Sequence, residues 1–166
     1  MTFSEIENET IVRPAAAEES MNIEIILSTY FLDRDDIPHE RFFVAEKAGK
    51  IIGCAVFETL ETPAEEIFFE VHTIAVLPSY RGKGIGRLLL KRLLSEIESE
   101  RTAEKNKKIK KILPEIYTRT TAPNFFIREG FEKADIDKKK YWDECVQCSR
   151  IDICSQTVLF KIQNKT

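Results

Sequence analysis

The chain has 166 residues, of which 43% are apolar and 32% charged, and a net charge of −3, the profile expected of one soluble globular domain. Its acidic balance weighs against nucleic acid as a partner, and its longest clearly apolar run, Ile51 to Phe57, is too short to cross a bilayer. The first ten residues (MTFSEIENET) carry acids where a secretory signal needs basic and apolar residues, so a cytoplasmic setting with reduced cysteines is expected.

The small net charge hides an asymmetry. Residues 1–80 hold 5 Lys+Arg against 16 Asp+Glu, and residues 81–166 hold 20 against 12, so the two halves are expected to face different partners.

Thr10 to Arg13 (TIVR) is a short extended run stopped by Pro14. Glu18 to Leu27 follows with Met21, Ile23, Ile26 and Leu27 at a mostly helical spacing. Tyr30 to Glu40 is acidic and reads as a weaker helical or irregular segment. Three strands are predicted next, Phe42 to Glu46, Ile51 to Thr59 and Ile67 to Val76, the first two joined by a hairpin loop at Lys47-Ala48-Gly49-Lys50. From Gly84 the period changes. Ile85, Leu88, Leu89, Leu93 and Ile97, with the Arg92 stem, mark the buried face of a long helix reaching to about Glu100, and Lys105 to Lys111 reads as its solvated end.

Ile112 to Thr118 is a strand in which Pro114 predicts a bulge or an edge. A short helix over Ala122 to Glu129 has Thr121 as its expected cap, Pro123 in its first turn and Gly130 after its end. Strands near Lys138 to Trp142 and Gln156 to Ile162 are expected to close the sheet around a cysteine-bearing segment. No repeat or linker interrupts the sequence, so residues 1–166 read as one α/β domain.

The stretch Ile74 to Arg87 (IAVLPSYRGKGIGR) ends a strand, turns at a proline, passes three glycines and opens the long helix. Glycines let a backbone approach a ligand closely and turn consecutive N–H groups inward. The helix N-terminus adds about half a positive charge at the same place. With Arg81, Lys83 and Arg87 around it, the loop suits a diphosphate. A Walker loop needs Ser or Thr after Gly-Lys, and Gly84 follows Lys83; a dinucleotide fingerprint counted from Gly82 needs glycine where Arg87 stands.

Written R-x-x-G-x-G, Arg81 to Gly86 resembles the acetyl-CoA loop of the GNAT superfamily of N-acetyltransferases, and Phe126-Ile127-Arg128-Glu129-Gly130-Phe131 resembles the ending of that family's short helix. The resemblance covers nearly the whole chain. It implies an α/β (α+β) GNAT fold: a mixed, mostly antiparallel sheet of six to seven strands flanked by about four helices. It also implies acetyl-CoA as cosubstrate. Ile74, Ala75 and Val76 would lie along the pantetheine arm, and Arg81, Gly82, Lys83, Gly84, Ile85, Gly86 and Arg87 would take the pyrophosphate. Thr118-Arg119-Thr120 followed by Phe125 to Phe131 further resembles the acetyltransferase domain of N-acetylglutamate synthases, at a slightly longer spacing. A homodimer is a frequent assembly for such domains.

Acetyl transfer from a thioester needs a neutral amine. At pH 7 an amine of pKa near 10.4 is free about once in 2,500 and one near 8 about once in ten, so a base is useful. By the two-residue period Glu70, His72, Ile74 and Val76 share one strand face, and the similar glutamate synthases place a general-base glutamate where Glu70 stands. Phe68 and Phe69 are expected to raise the pKa of Glu70 toward neutrality by desolvation. His72 could act instead, relay a proton, or be a satisfied core histidine.

The tyrosine with which the superfamily reprotonates the CoA thiolate is replaced here by Phe126. Tyr117 is the nearest candidate acid and Tyr141 the next, with buried structural roles as the alternative; a thiolate of pKa near 8.5 can also leave unassisted. Arg119 replaces a frequent asparagine and could bind a phosphate or an acceptor carboxylate. Cys145, Cys148 and Cys154 (C-x2-C-x5-C) lack one ligand for a zinc site, which Asp143, His39 or His72 could supply. Reduced thiols in a terminal hairpin, with no metal, are the preferred reading, and Cys54 is a core residue.

The function expected from these residues is transfer of acetyl from acetyl-CoA to a primary amine of a small molecule through a ternary complex. Resemblance favours glutamate or a related amino acid. The acidic first half would repel a dicarboxylate unless Arg34, Arg41 or Arg119 lines the acceptor side, and it favours a polyamine, a basic antibiotic or a protein N-terminus. A non-catalytic CoA-binding module is the rival of a different class, motivated by Phe126.

Overall fold

A computed structural model describes Glu5 and residues 9–163. Its strands are β1 (Thr10–Pro14), β2 (Phe43–Lys47), β3 (Lys50–Glu61), β4 (Ile67–Val76), β5 (Ile112–Thr120), β6 (Glu132–Lys133) and β7 (Thr157–Ile162). They form one sheet in the order β1-β2-β3-β4-β5-β7-β6. Pairing is antiparallel at β1–β2, β2–β3, β5–β7 and β6–β7 and parallel at β4–β5. Among the described residues the α-helices are α1 (Ser20–Thr29), α2 (Ile85–Lys107), α3 (Pro123–Arg128) and α4 (Asp143–Val146). This is the mixed architecture the sequence implies. Contacts group the chain into two units, residues 1–57 with 73–97 and residues 58–72 with 98–166.

In the first unit, Ile23, Ile26 and Leu27 of α1 pack with Phe42, Val44, Cys54, Val56 and Ala75. Burying such side chains contributes about 1.5–3 kcal/mol each, more than the modest helix propensity of α1 could supply alone. The β2–β3 loop turns on Ala48 and Gly49, with φ of 48° and 75°; a two-residue hairpin turn of this kind needs positive φ at both positions. Tyr30 to Glu40 is irregular, with positive φ at Phe31, Asp35 and Asp36, and leads into a 3-10 turn at His39–Arg41.

Gly53 of β3 lies directly against α2. A Cβ there would meet the Ala75 carbonyl oxygen at 3.1 Å, Leu89 Cδ1 at 3.1 Å and Ile85 Cγ2 at 3.5 Å. Gly53→Ala is therefore expected to destabilise by about 1–3 kcal/mol, read as a lower urea midpoint at unchanged m-value.

The buried stripe of α2 runs through Ile85, Leu89, Leu93 and Ile97, and the helix continues seven residues past the expected end. In the second unit Arg101 is buried, donates to the Leu113 carbonyl at 2.5 Å and to Glu98 at 3.2 Å, and lies over the Phe69 ring. That inward guanidinium extends the packed face of the helix, which an apolar-only count could not see. The lysines that follow are exposed; Lys110 and Lys111 pair with Glu61 and Glu66.

The second unit's core is an aromatic cluster of Phe68, Tyr117 and Trp142 with Leu113 and Val158. Ile67 pairs with Ile112 but Phe69 with Ile116, so β5 bulges over Pro114 while staying interior to the sheet, between β4 and β7. Two expectations are corrected here. Thr121 is not the cap of α3: Ala122 holds that position without a side-chain bond, and the Thr120 hydroxyl accepts the Ala122 N–H at 2.9 Å. Residues 138–142 are not a strand but fall mainly in a 3-10 turn, Ile136–Tyr141, because Lys138-Lys139-Lys140 lacks alternation and the following Trp142 must reach the aromatic cluster. The cysteines accordingly lie on α4 and the irregular chain after it, not in a hairpin.

Candidate active site

Strand β4 carries the residues of interest in order, Glu70 and His72 first and Ile74, Ala75 and Val76 after them. Ile74 and Val76 are half-buried and Ala75 is buried. The Tyr30 hydroxyl donates to the Val76 carbonyl, which keeps a second lone pair, and the Leu77 N–H donates to the Ile52 carbonyl at 2.8 Å. A 3-10 turn at Pro78–Tyr80 then delivers the chain to Arg81. Gly82 and Gly84 have φ of 71° and 83°, a backbone state that costs other residues about 1–2 kcal/mol. Helix α2 starts at Ile85, with the Leu88 N–H on the Gly84 carbonyl at 3.1 Å, so the amides of Ile85 and Gly86 point past the helix end.

The Arg81 guanidinium lies over the Tyr30 ring at 5.8 Å, and the Lys83 and Lys50 ammonium groups approach the Tyr80 ring at 5.6 and 5.5 Å. A Cβ at Gly82 would meet nothing within 4 Å. The loop's outer side is thus open and positively charged, as a diphosphate site needs. Gly82→Ala has room but the wrong φ, so it is expected to raise the KM for acetyl-CoA roughly tenfold while leaving the unfolding midpoint nearly unchanged.

The ionic cluster lies in the second unit. Glu70 is 1% exposed, and Arg119 of β5 donates Nε to Oε1 at 2.9 Å and Nη2 to Oε2 at 3.5 Å. Arg119 Nη1 also reaches Glu144 at 2.8 Å and the Cys145 sulfur at 3.3 Å, and the guanidinium lies 4.6 Å above the Trp142 ring. His72 Nδ1 is 3.7 Å from Glu70 Oε2. Glu58, Glu70 and His72 have polar atoms within 4.8 Å of one another. The Thr118 hydroxyl donates to the Val71 carbonyl at 2.9 Å and pins β5 beside this part of β4.

Burial alone pushes the Glu70 carboxyl up, and it is the largest single influence. His72, 3.7 Å away, and the charge and hydrogen bonds of Arg119 together outweigh it and hold the group below its ordinary value of 4.5. Of these partners Arg119 has the firmer geometry, since the His72 contact is longer than an ordinary hydrogen bond. The expectation that Phe68 and Phe69 raise this pKa toward neutrality is therefore overturned. The apolar neighbours do desolvate the carboxylate, but a guanidinium that the sequence leaves unplaced compensates it.

Arg119 is correspondingly not a free cation for a phosphate or an acceptor carboxylate. Its charge is already shared by Glu70 and Glu144. The same cation answers a metal at the Glu58–Glu70–His72 cluster, where charge compensation is supplied by protein. The three late cysteines do not form a metal-holding group among the described residues; Cys145 is half-buried, Cys148 and Cys154 are exposed, and all are free thiols. Cys54 is fully buried, and burial pushes its thiol up to about 12.

Tyr117 pairs with Glu70 in the β4–β5 register. It is 1% exposed and stands edge-on to Phe68, Tyr141 and Trp142. Burial, reinforced by Glu115 and Tyr141, pushes its hydroxyl well above the ordinary value. With Glu115, Lys133 and Lys138 it lines a cavity of about 220 Å³. Three residues of the cluster were not singled out from sequence. Glu58 had one available signal, as the first charge after the apolar run 51–57. Trp142 and Glu144 had none: Trp142 ends the segment expected as a strand, and Glu144 begins the cysteine-bearing segment after it.

The acetyltransferase (GNAT) domain family matches residues 38–133. An uncharacterised N-acetyltransferase of Chlorobaculum tepidum is 29% identical over 130 residues, 75% of this chain and 73% of that protein. The N-alpha-acetyltransferase RimI of Mycobacterium tuberculosis is 47% identical over 58 residues, 34% of this chain and 35% of the relative. N-acetylglutamate synthase of Neisseria gonorrhoeae, solved with coenzyme A and N-acetylglutamate, superposes with a TM-score of 0.65 at 19% identity, covering 94% of this chain and 35% of the synthase. With the glycine loop at the end of β4 and a match over more than half its length, the chain belongs to the GNAT acetyltransferase family.

Proposed function

We propose that this acetyl-CoA-dependent N-acetyltransferase acts on a primary amine presented as a cation, with the α-amine of a peptide N-terminus as the best-supported class. The observation that carries the reading is the buried, ionised Glu70, held by Arg119 and flanked by His72 and Glu58. Two carboxylates beside one imidazole attract an ammonium and accept its proton, directly or through one water. A negative field of this kind disfavours a dicarboxylate, and Arg119 has no spare charge to offset it. The local likeness to an N-alpha-acetyltransferase supports the same class.

In this reading the amides of Gly82 to Gly86 hold the cosubstrate's phosphates and the β4 backbone at Ile74 to Val76 aligns its thioester arm. Glu70 takes the proton of the amine as it attacks. Tyr117, packed in the aromatic cluster, has a structural role, and the thiolate leaves without an enzymic acid. Free glutamate is the second reading, favoured by Thr118-Arg119-Thr120.

The test follows thiol release from acetyl-CoA by purified protein with N-terminal peptides, glutamate, other amino acids and polyamines. A peptide kcat/KM well above that for glutamate supports the proposal. Glutamate as the best acceptor overturns the substrate class, and binding of acetyl-CoA without turnover of any amine overturns the enzyme reading.

A further inference from the structure

Cys145 packs against the rim of the aromatic cluster and Cys148 is exposed, and the proposed chemistry uses neither. Helix α4 and the turn after it hold them three residues apart, with the Cys148 N–H donating to the Cys145 carbonyl at 3.2 Å and the Ile151 N–H to the Cys148 carbonyl at 3.4 Å. A four-residue turn closed in this way keeps its end Cα atoms within about 7 Å, and disulfides span Cα separations of about 4.4–6.8 Å. Cys148 is exposed and Cys145 half-buried, and both are reduced. The Cys145 sulfur accepts from Arg119 Nη1 at 3.3 Å, the same guanidinium that holds Glu70, and the adjoining Glu144 and Trp142 also touch Arg119.

We infer that Cys145 and Cys148 are a reversible dithiol modification site whose closure to a disulfide loosens the hold of Arg119 on Glu70. The oxidant is a small disulfide such as oxidised glutathione. The exposed Cys148 thiolate attacks it, forming a mixed disulfide and releasing one glutathione thiolate. Cys145 then attacks the Cys148 sulfur, forming the Cys145–Cys148 bond and releasing the second glutathione. The two thiol protons go to the departing glutathione, so the protein gives up two electrons and two protons and one oxidised glutathione becomes two reduced ones. To reach Cys148 the Cys145 sulfur must turn away from Arg119, which removes one of the guanidinium's partners. Cys154 takes no part. The thiol chemistry does not depend on Glu70 acting as the base, so it survives failure of that assignment.

The whole protein is equilibrated in graded mixtures of oxidised and reduced glutathione, quenched with acid, alkylated and mapped by mass spectrometry without reduction. The expected product has lost two hydrogens, carries a Cys145–Cys148 linkage and reverts with reduced glutathione. Cys145→Ser is expected to retain glutathione on Cys148, and Cys154→Ser to close normally. At neutral pH the Arg119 Nε–H, followed by nitrogen-edited NMR, is expected to exchange with solvent roughly tenfold faster in the closed form. Free thiols throughout, or linkage through Cys154, overturns the site. Closure with an unchanged Arg119 exchange rate overturns the coupling.

Discussion

Replacing Glu70 with Gln is expected to lower kcat/KM for acetyl transfer by about 10²–10⁴-fold, the range for loss of a positioned general base, with the KM for acetyl-CoA nearly unchanged. The substitution keeps size and keeps an oxygen that Arg119 can donate to at the 2.9 Å contact. What disappears is the proton acceptor. Because Arg119 and His72 hold Glu70 below its ordinary value, the wild-type carboxylate is ionised throughout the neutral range, and the loss should therefore be seen at every pH in it. Circular dichroism of the variant separates lost chemistry from lost fold.

Replacing Arg119 with Met is expected to cost about 3–5 kcal/mol at pH 7, because it leaves a buried carboxylate without its counter-charge. Glu70 is 2% and Arg119 11% exposed at the side chain, so water cannot step in. The pH dependence follows in sign. In the wild type the carboxyl is held below its ordinary 4.5, so its contribution to stability is complete above that pH and is lost as pH falls through the lower folded value. Without Arg119 burial dominates and Glu70 binds a proton more readily when folded, so the variant's deficit shrinks on acidification. Urea unfolding of both proteins at neutral and mildly acidic pH measures this gap. The double variant Glu70→Gln, Arg119→Met should be more stable than Arg119→Met alone, since no buried charge is left unpaired.

Periodicity and glycine placement made most of the fold legible. The alternation around Glu70, the hairpin glycine at Gly49, the loop glycines Gly82 and Gly84 and the 85–97 stripe are local signals, and each led to the observed element. Two of the failures come from large side chains that pack inward, Arg101 and Trp142. Arg101 carries α2 past Glu100 because its guanidinium finds the Leu113 carbonyl and the Phe69 face. Trp142 is drawn from a lysine-rich 3-10 turn, not from a strand, into the aromatic cluster.

The site divides in the same way. The cofactor loop is contiguous in sequence and could be read directly. The charge state of Glu70 could not, because its determinants, Arg119 on β5 and His72 on β4, come together through the β4–β5 pairing. Desolvation by Phe68 and Phe69 was correctly sensed as a force. The balance goes the other way because His72 and Arg119 together outweigh burial, and Arg119 lies 49 residues away in sequence.

The central claim is that an already ionised Glu70 takes the proton of the acceptor amine, and the dependence of wild-type kcat/KM on pH tests it most directly. With two acceptors whose amine pKa values differ, the profile between about pH 5 and 9 is expected to be level and to fall only as the ammonium form is lost, at a pH that moves with the amine. A rising limb that stays at one pH whichever amine is used would mean that a group of the enzyme must lose a proton first, and would contradict the account.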